Sequence, residues 1–124
     1  MGKSVNNDVL DGAFNIVKNN CTRVTLCSAE PTTYAEGNAT YALADVTVDS
    51  SDFTIADGDT SGRKVTVAAQ SGVTVDTSGT ATHIALLDVS GSRLLYVTTT
   101  TSQVVTSGNT ANLPAFDIEI ADPS

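Results

Sequence analysis

Five Ser-Gly steps, Ser61-Gly62, Ser71-Gly72, Ser78-Gly79, Ser90-Gly91 and Ser107-Gly108, divide the last two-thirds of this chain into short runs of Val, Thr, Ile and Leu. Glycine supplies the positive φ that tight turns need, and serine caps them. β-Branched residues fit a pleated surface. The pattern predicts turn, strand, turn, strand, in the order of a compact β meander. With 124 residues the chain has the length of one domain, able to bury roughly two-thirds of its unfolded surface. Thr occurs nineteen times and Val fourteen, while aromatics make up 5% and Trp is absent, so the core must be small and aliphatic.

The expected fold is mainly β, an antiparallel β-sandwich or squat β-barrel with one short N-terminal helix, over residues 1–124 as a single domain. Residues 1–20 form an N-terminal arm and helix, and 21–124 the β-domain. The helix is signalled by Leu10, Ala13, Phe14 and Val17 at i, i+3, i+4 and i+7. Asn6, Asn7 or Asp8 can cap it, Asp8 and Asp11 suit its positive end, and Asn19-Asn20 stops it. So short a helix must dock, on its own sheet or on a neighbour. Its apolar face (Leu10, Phe14, Val17) is therefore the expected partner contact.

Downstream, Val24 and Leu26 alternate with Arg23, Thr25 and Cys27, and residues 29–40 read as a connecting loop. Val65 and Val67 point inward. The clearest hairpin joins Ala81–Asp88 to Arg93–Thr100 through Val89-Ser90-Gly91-Ser92. Ile84-Ala85-Leu86-Leu87 is apolar on both faces and reads as a central, covered strand. Thr98 to Thr101 reads as an exposed edge. Phe116, Ile118 and Ile120 alternate with Asp117 and Glu119, a strand with one solvated face. Asp59-Thr60-Ser61-Gly62 recurs as Asp76-Thr77-Ser78-Gly79, two turns sharing one solution or a duplicated hairpin.

Several function classes lose support from composition. A net charge of −8 with six scattered cations offers no basic footprint for nucleic acid and disfavours an anionic membrane surface. No run approaches the ~20 apolar residues of a membrane span. No secretory signal is expected, since Asn6, Asn7, Asp8 and Asp11 interrupt the segment after Lys3. Cys21 and Cys27, if on one strand, lie on one face about 20 Å apart, too far for a mutual disulfide. Free buried thiols are expected, with intermolecular pairing as the other reading.

Catalytic signatures are missing too. His83 stands alone, without the further His or Cys ligands of a zinc site, and no nucleophile elbow, P-loop or Rossmann fingerprint occurs. No catalytic residue and no cofactor are expected. Asp57-Gly58-Asp59-Thr60-Ser61-Gly62 matches the start of a Ca²⁺ loop, with oxygen ligands at Asp57, Asp59 and Ser61. Position 12, which should hold a bidentate Glu, is Ala68, so a polar turn is the preferred reading and no metal is assigned.

A resemblance covers nearly the whole chain. The helix Val9–Asn20, the run Thr22–Tyr34, the segments Ala56–Val65 and Ser78–Asp88, and the closing Leu113–Ile120 resemble small virion structural proteins of tailed bacteriophages. That resemblance implies a non-enzymatic part of the particle, first of all a capsid decoration (cement) protein on the capsid surface, made in the host cytoplasm. Its implied partners are the major capsid protein and copies of itself, in a homo-oligomer such as a trimer. The alternatives are a tail, baseplate or fibre component, or a soluble Ca²⁺- or glycan-binding β module.

Overall fold

The computed structural model describes residues 3–123. One helix and nine strands follow in chain order: α1 (Asn7–Asn20), β1 (Arg23–Cys27), β2 (Ala42–Thr47), β3 (Phe53–Asp57), β4 (Arg63–Val67), β5 (Gln70–Thr74), β6 (Gly79–Asp88), β7 (Arg93–Val105), β8 (Thr110–Leu113) and β9 (Phe116–Ile120). The fold is mainly β, with three antiparallel sheets in a sandwich-like arrangement and a single N-terminal helix. The four-stranded sheet runs β2-β1-β6-β7, the three-stranded sheet β3-β4-β9, and β5 pairs with β8. An isolated bridge from Ala44 to Val75 ties β2 to the β5 end.

This order is not the meander expected from the turn pattern. Only β1–β2, β3–β4 and β6–β7 are sequential neighbours; β1–β6, β4–β9 and β5–β8 are long-range pairs. Turn signals locate strand ends, but pairing is decided by which faces can be buried together. The main core gathers Val24, Leu26, Ile84 and Leu86 from the first sheet and Phe53, Val65 and Val67 from the second. Val73, Val75, Ala111 and Leu113 join from the third, and Phe14 from the helix.

The other face of the four-stranded sheet is covered as well. Cys27, Ala85 and Leu87 form a second cluster there, with Tyr34, Tyr41, Leu94 and Val97 packed on it. The cover is the 28–41 segment, where the sequence predicts a plain loop over 29–40. It carries a π-helical turn, Glu36–Thr40, closed by the Tyr41 N–H donating to the Glu36 carbonyl at 2.9 Å. Gly37 lies flat on the sheet, where a Cβ would sit 3.2 Å from Leu87 Cδ2 and 3.4 Å from Leu94 Cδ1. The buried Thr25 hydroxyl donates to the Gly37 carbonyl at 2.8 Å, and Arg23 Nη1 donates to Asn38 Oδ1 at 2.7 Å. Two-sided cover explains the unbroken apolar run of β6, as expected of a central strand.

The five Ser-Gly steps do three different things. Ser61-Gly62 and Ser107-Gly108 are turns with positive φ at glycine, 71° and 89°. Ser90-Gly91 lies in the β6–β7 turn, but the positive φ there falls on Ser92, at 52°. Ser71-Gly72 is no turn; it sits inside β5 where the register to β8 shifts, and the φ of 65° at Gly72 serves that irregularity. Ser78-Gly79 begins β6, and Gly79 packs on Leu43. The Asp-Thr-Ser-Gly echo is therefore one hairpin turn and one strand start, not a duplicated hairpin.

The β6–β7 hairpin turns where expected, at Asp88 and Arg93, extends further than expected at its open end, to Gly79 and Val105, and is clamped by one carboxylate. Asp88 accepts from the Gly91 N–H at 3.0 Å and from Arg93 Nε and Nη2 at 3.0 and 2.9 Å. Those N–H groups, the backbone one first, hold the Asp88 carboxyl below its ordinary range. A carboxyl with a depressed folded pKa adds stability above its unfolded pKa, and that stability is lost as pH falls through the folded value. We therefore expect Asp88→Asn to be less stable than wild type near pH 7. The gap should close as the pH falls below about 4, read by urea unfolding across pH.

Candidate functional site

The β3–β4 turn holds the residues that resemble a Ca²⁺ loop, and the structure turns their oxygens elsewhere. Asp57 faces Arg63 in the β3–β4 register and accepts from Arg63 Nη1 at 2.6 Å. Asp59 accepts from Lys64 Nζ at 2.7 Å, while its own N–H donates to the Glu119 carboxylate. Ser61 Oγ accepts from the Asp122 N–H at 3.2 Å. Lys64 also reaches Asp117 at 3.5 Å, and Arg63 Nε and Nη2 donate to Asp11 on α1 at 2.8 and 3.2 Å. These carboxylates raise the pKa of both cations, chiefly through the hydrogen bonds that Asp11 accepts from Arg63 and Asp59 accepts from Lys64. Asp57, Asp59 and Ser61 thus belong to a pinned turn. Calcium would first have to displace Arg63 and Lys64. Among the described residues, no group of three or more His, Cys, Asp or Glu is placed to hold a metal ion.

The expected partner contact on α1 needs correcting. Asn6 caps the helix by accepting the Asp8 N–H at 2.7 Å, as its sequence allows. Its apolar face then docks on β3, β4 and β6 of the same chain. Phe14 is 2% exposed and Leu10 9%, and Val17 packs against the same core. Leu10, Phe14 and Val17 are intramolecular core, not contact surface, because a helix this short gains its stability by burying that face. Ala13, grouped with them by spacing, is exposed. The helix instead presents Val9 and Ile16 outward, at 66% and 49% exposure.

The remaining chemistry-bearing side chains singled out by the sequence are His83 and the two cysteines. His83 lies on β6, half-buried, with Nδ1 2.8 Å from the Thr82 hydroxyl. Cys21 and Cys27 are free and buried. Cys21 is not on a strand; it caps the C-terminus of α1 in the main core, while Cys27 lies beneath the 28–41 cover. They occupy opposite sides of the sheet, not one face of one strand. Burial pushes the Cys21 thiol up to about 11 and raises Cys27 as well. The thiolate is the reactive form, so we expect neither cysteine to react with Ellman's reagent in the native protein, and both to react in denaturant.

The surface feature that stands out is the free edge of β7. Among the described residues this 13-residue strand is terminal in its sheet and pairs only with β6. Its pairing is interrupted twice. Leu95 is an extra residue between the Tyr96 and Leu94 partners, and Thr100-Thr101-Ser102 lie opposite Thr82 alone. Thr99, Thr101 and Ser102 are exposed, and Val104 is 81% exposed. On the inner side, Tyr96 stacks on Phe116 of β9 with ring centroids 6.2 Å apart. Among the described residues no pocket is present.

The class defined by these features is a mainly β protein with a satisfied interior and a long unpaired strand edge. Compared with known proteins, the chain matches no family model, no curated protein and no solved structure.

Proposed function

We propose that the chain is a non-enzymatic structural protein of a tailed-bacteriophage particle, a capsid decoration protein that binds the major capsid lattice and stiffens it. The observation that carries this reading is the distribution of the surface. What the chain offers its surroundings is contact: the uncharged outer edge of β7 and the outward Val9, Ile16 and Val104. His83, the two cysteines and the Asp57–Asp59–Ser61 turn are held in hydrogen bonds, ion pairs or the core. The resemblance in helix, strand and closing segments to small virion proteins supports the same reading. Many weak contacts, repeated over a lattice, add by multivalency to resist the pressure of packaged DNA.

The test is a particle lacking the protein. Heads assembled without it should rupture at a lower temperature than complete heads, and adding the purified protein should restore the difference. Heads that keep their full thermal stability without it would sink the cement reading. Imaging of complete particles separates head from tail: density on the capsid lattice supports decoration, and density confined to tail or baseplate replaces it with that role.

A further inference from the structure

We propose that the outer edge of β7 is a self-association site, at which a second copy of this chain adds its own β7 antiparallel about a two-fold axis, extending the four-stranded sheet across the pair. The chemistry of the vacant position fixes the class of occupant. An edge strand presents backbone N–H and C=O groups in the spacing of a ladder, and another extended strand satisfies them. Among the described residues, the backbone hydrogen bonds made by 94–105 go to β6 alone.

The side chains favour a second copy as that occupant. From Leu94 to Val105 there is no charged residue and no proline, in a chain of net charge −8. The other outer strands of the two larger sheets carry charge: Asp45 on β2, Asp57 on β3, and Asp117 and Glu119 on β9. Such charges are the usual guard against edge-to-edge pairing, and β7 has none beyond Arg93 at its turn end, which is paired with Asp88. Two copies of so acidic a chain repel each other over most of their surface and least along this strip. The run Thr98-Thr99-Thr100-Thr101 is also its own complement. Read in opposite directions about a two-fold axis at Thr100, it places Thr99 opposite Thr101 and Thr100 opposite its own copy, cross-strand pairs that sheets accept. An isologous contact requires this self-complementarity. The inference does not depend on the virion reading and holds for the protein in any setting.

Sedimentation velocity of the purified chain, from low micromolar to near-millimolar concentration, reads the result directly. The expected species at the upper end is a dimer of the 12.7 kDa chain, strengthened by salt because salt screens the repulsion between acidic copies. Thr99 and Thr101 are exposed, so charging them leaves the core untouched. The double variant Thr99→Glu/Thr101→Glu should associate at least about tenfold more weakly, since each Glu meets its like across the axis. Thr99→Lys/Thr101→Lys should be weakened for the same reason, and an equimolar mixture of the two variants should recover a heterodimer. Hydrogen exchange on the unaltered chain gives a readout free of any variant: amides within 96–105 should gain protection as concentration rises. A wild-type chain that stays monomeric throughout, including one whose β7 accepts only a strand from another particle protein, overturns the proposal. So does a dimer that survives both like-charged variants.

Discussion

Replacing Phe14 by alanine is expected to destabilise the domain by about 3–5 kcal/mol, the range for removing a buried aromatic side chain. Phe14 is 2% exposed and is the one large side chain that α1 inserts into the main core. The chain has three Phe and no Trp, so the aliphatic neighbours are too small to close the space left behind. A 14-residue helix is marginal alone, and with Phe14 gone only Leu10 remains fully buried on it. Domains of this size are stable by about 5–15 kcal/mol, so the variant should lose a large share of its folding free energy. Its urea midpoint should fall well below wild type, and amide protection in 7–20 should fall first. Phe14→Leu, which retains much of the volume, should lose less. Ile16→Ala, on the exposed side of the same helix, should stay within about 0.5 kcal/mol of wild type. Equal losses for Phe14→Ala and Ile16→Ala would show that the helix is not anchored through Phe14.

Signals confined to a few adjacent residues were legible in the sequence. The Asn6 cap, the Leu10–Phe14–Val17 stripe, the Val65/Val67 and Phe116/Ile118 alternations and the β6–β7 hairpin depend on neighbours in the chain, and each is found where its pattern placed it, whereas Ile120, expected on the core face with Phe116 and Ile118, is exposed at the strand end. The covered strand Ile84–Leu87 was legible because burial on both faces removes the polar alternation. The edge character of Thr98–Thr101 was legible because four hydroxyl side chains in a row suit no central strand, and Thr99 and Thr101 are exposed.

What distant residues decide was not legible. Nothing near Val24 says that it lies opposite Leu86, or near Val65 that it lies opposite Ile118. The π-helical turn at Glu36–Thr40 has no apolar periodicity; it exists because Gly37 fits flat on Leu87 and Leu94. Cys21 was misplaced because the helix and β1 meet with only Cys21 and Thr22 between them, and the residue after the Asn19-Asn20 stop closes the helix as its C-cap instead of opening the strand. The stripe on α1 gave the right residues and the wrong partner, since periodicity identifies an apolar face without saying which surface covers it. The acidic turn carried a local warning: Arg63 and Lys64 follow directly after Gly62, and a β-hairpin brings them back onto Asp57 and Asp59.

The second large effect is expected at Gly62, with Gly72 as its control. Both have φ in the left-handed region, 71° and 65°. Placing a Cβ in that region costs roughly 1–2 kcal/mol at either position. At Gly72 nothing lies within 4 Å of the new atom, so Gly72→Ala should show that strain and little else. At Gly62 the new Cβ would run into the Ile120 carbonyl oxygen and the Ala121 backbone. Those atoms cannot rotate away like the end of a side chain. Ile120 is paired with Arg63 at the end of the β4–β9 ladder, so relief requires pulling β9 off the sheet. Crowding of this kind adds about 1–3 kcal/mol, bringing the expected loss for Gly62→Ala to about 2–5 kcal/mol. The damage should also be local, with amide protection in β9 lost before that in β6. Matched losses in thermal and urea unfolding for Gly62→Ala and Gly72→Ala would mean that the turn and β9 are not packed against each other as described.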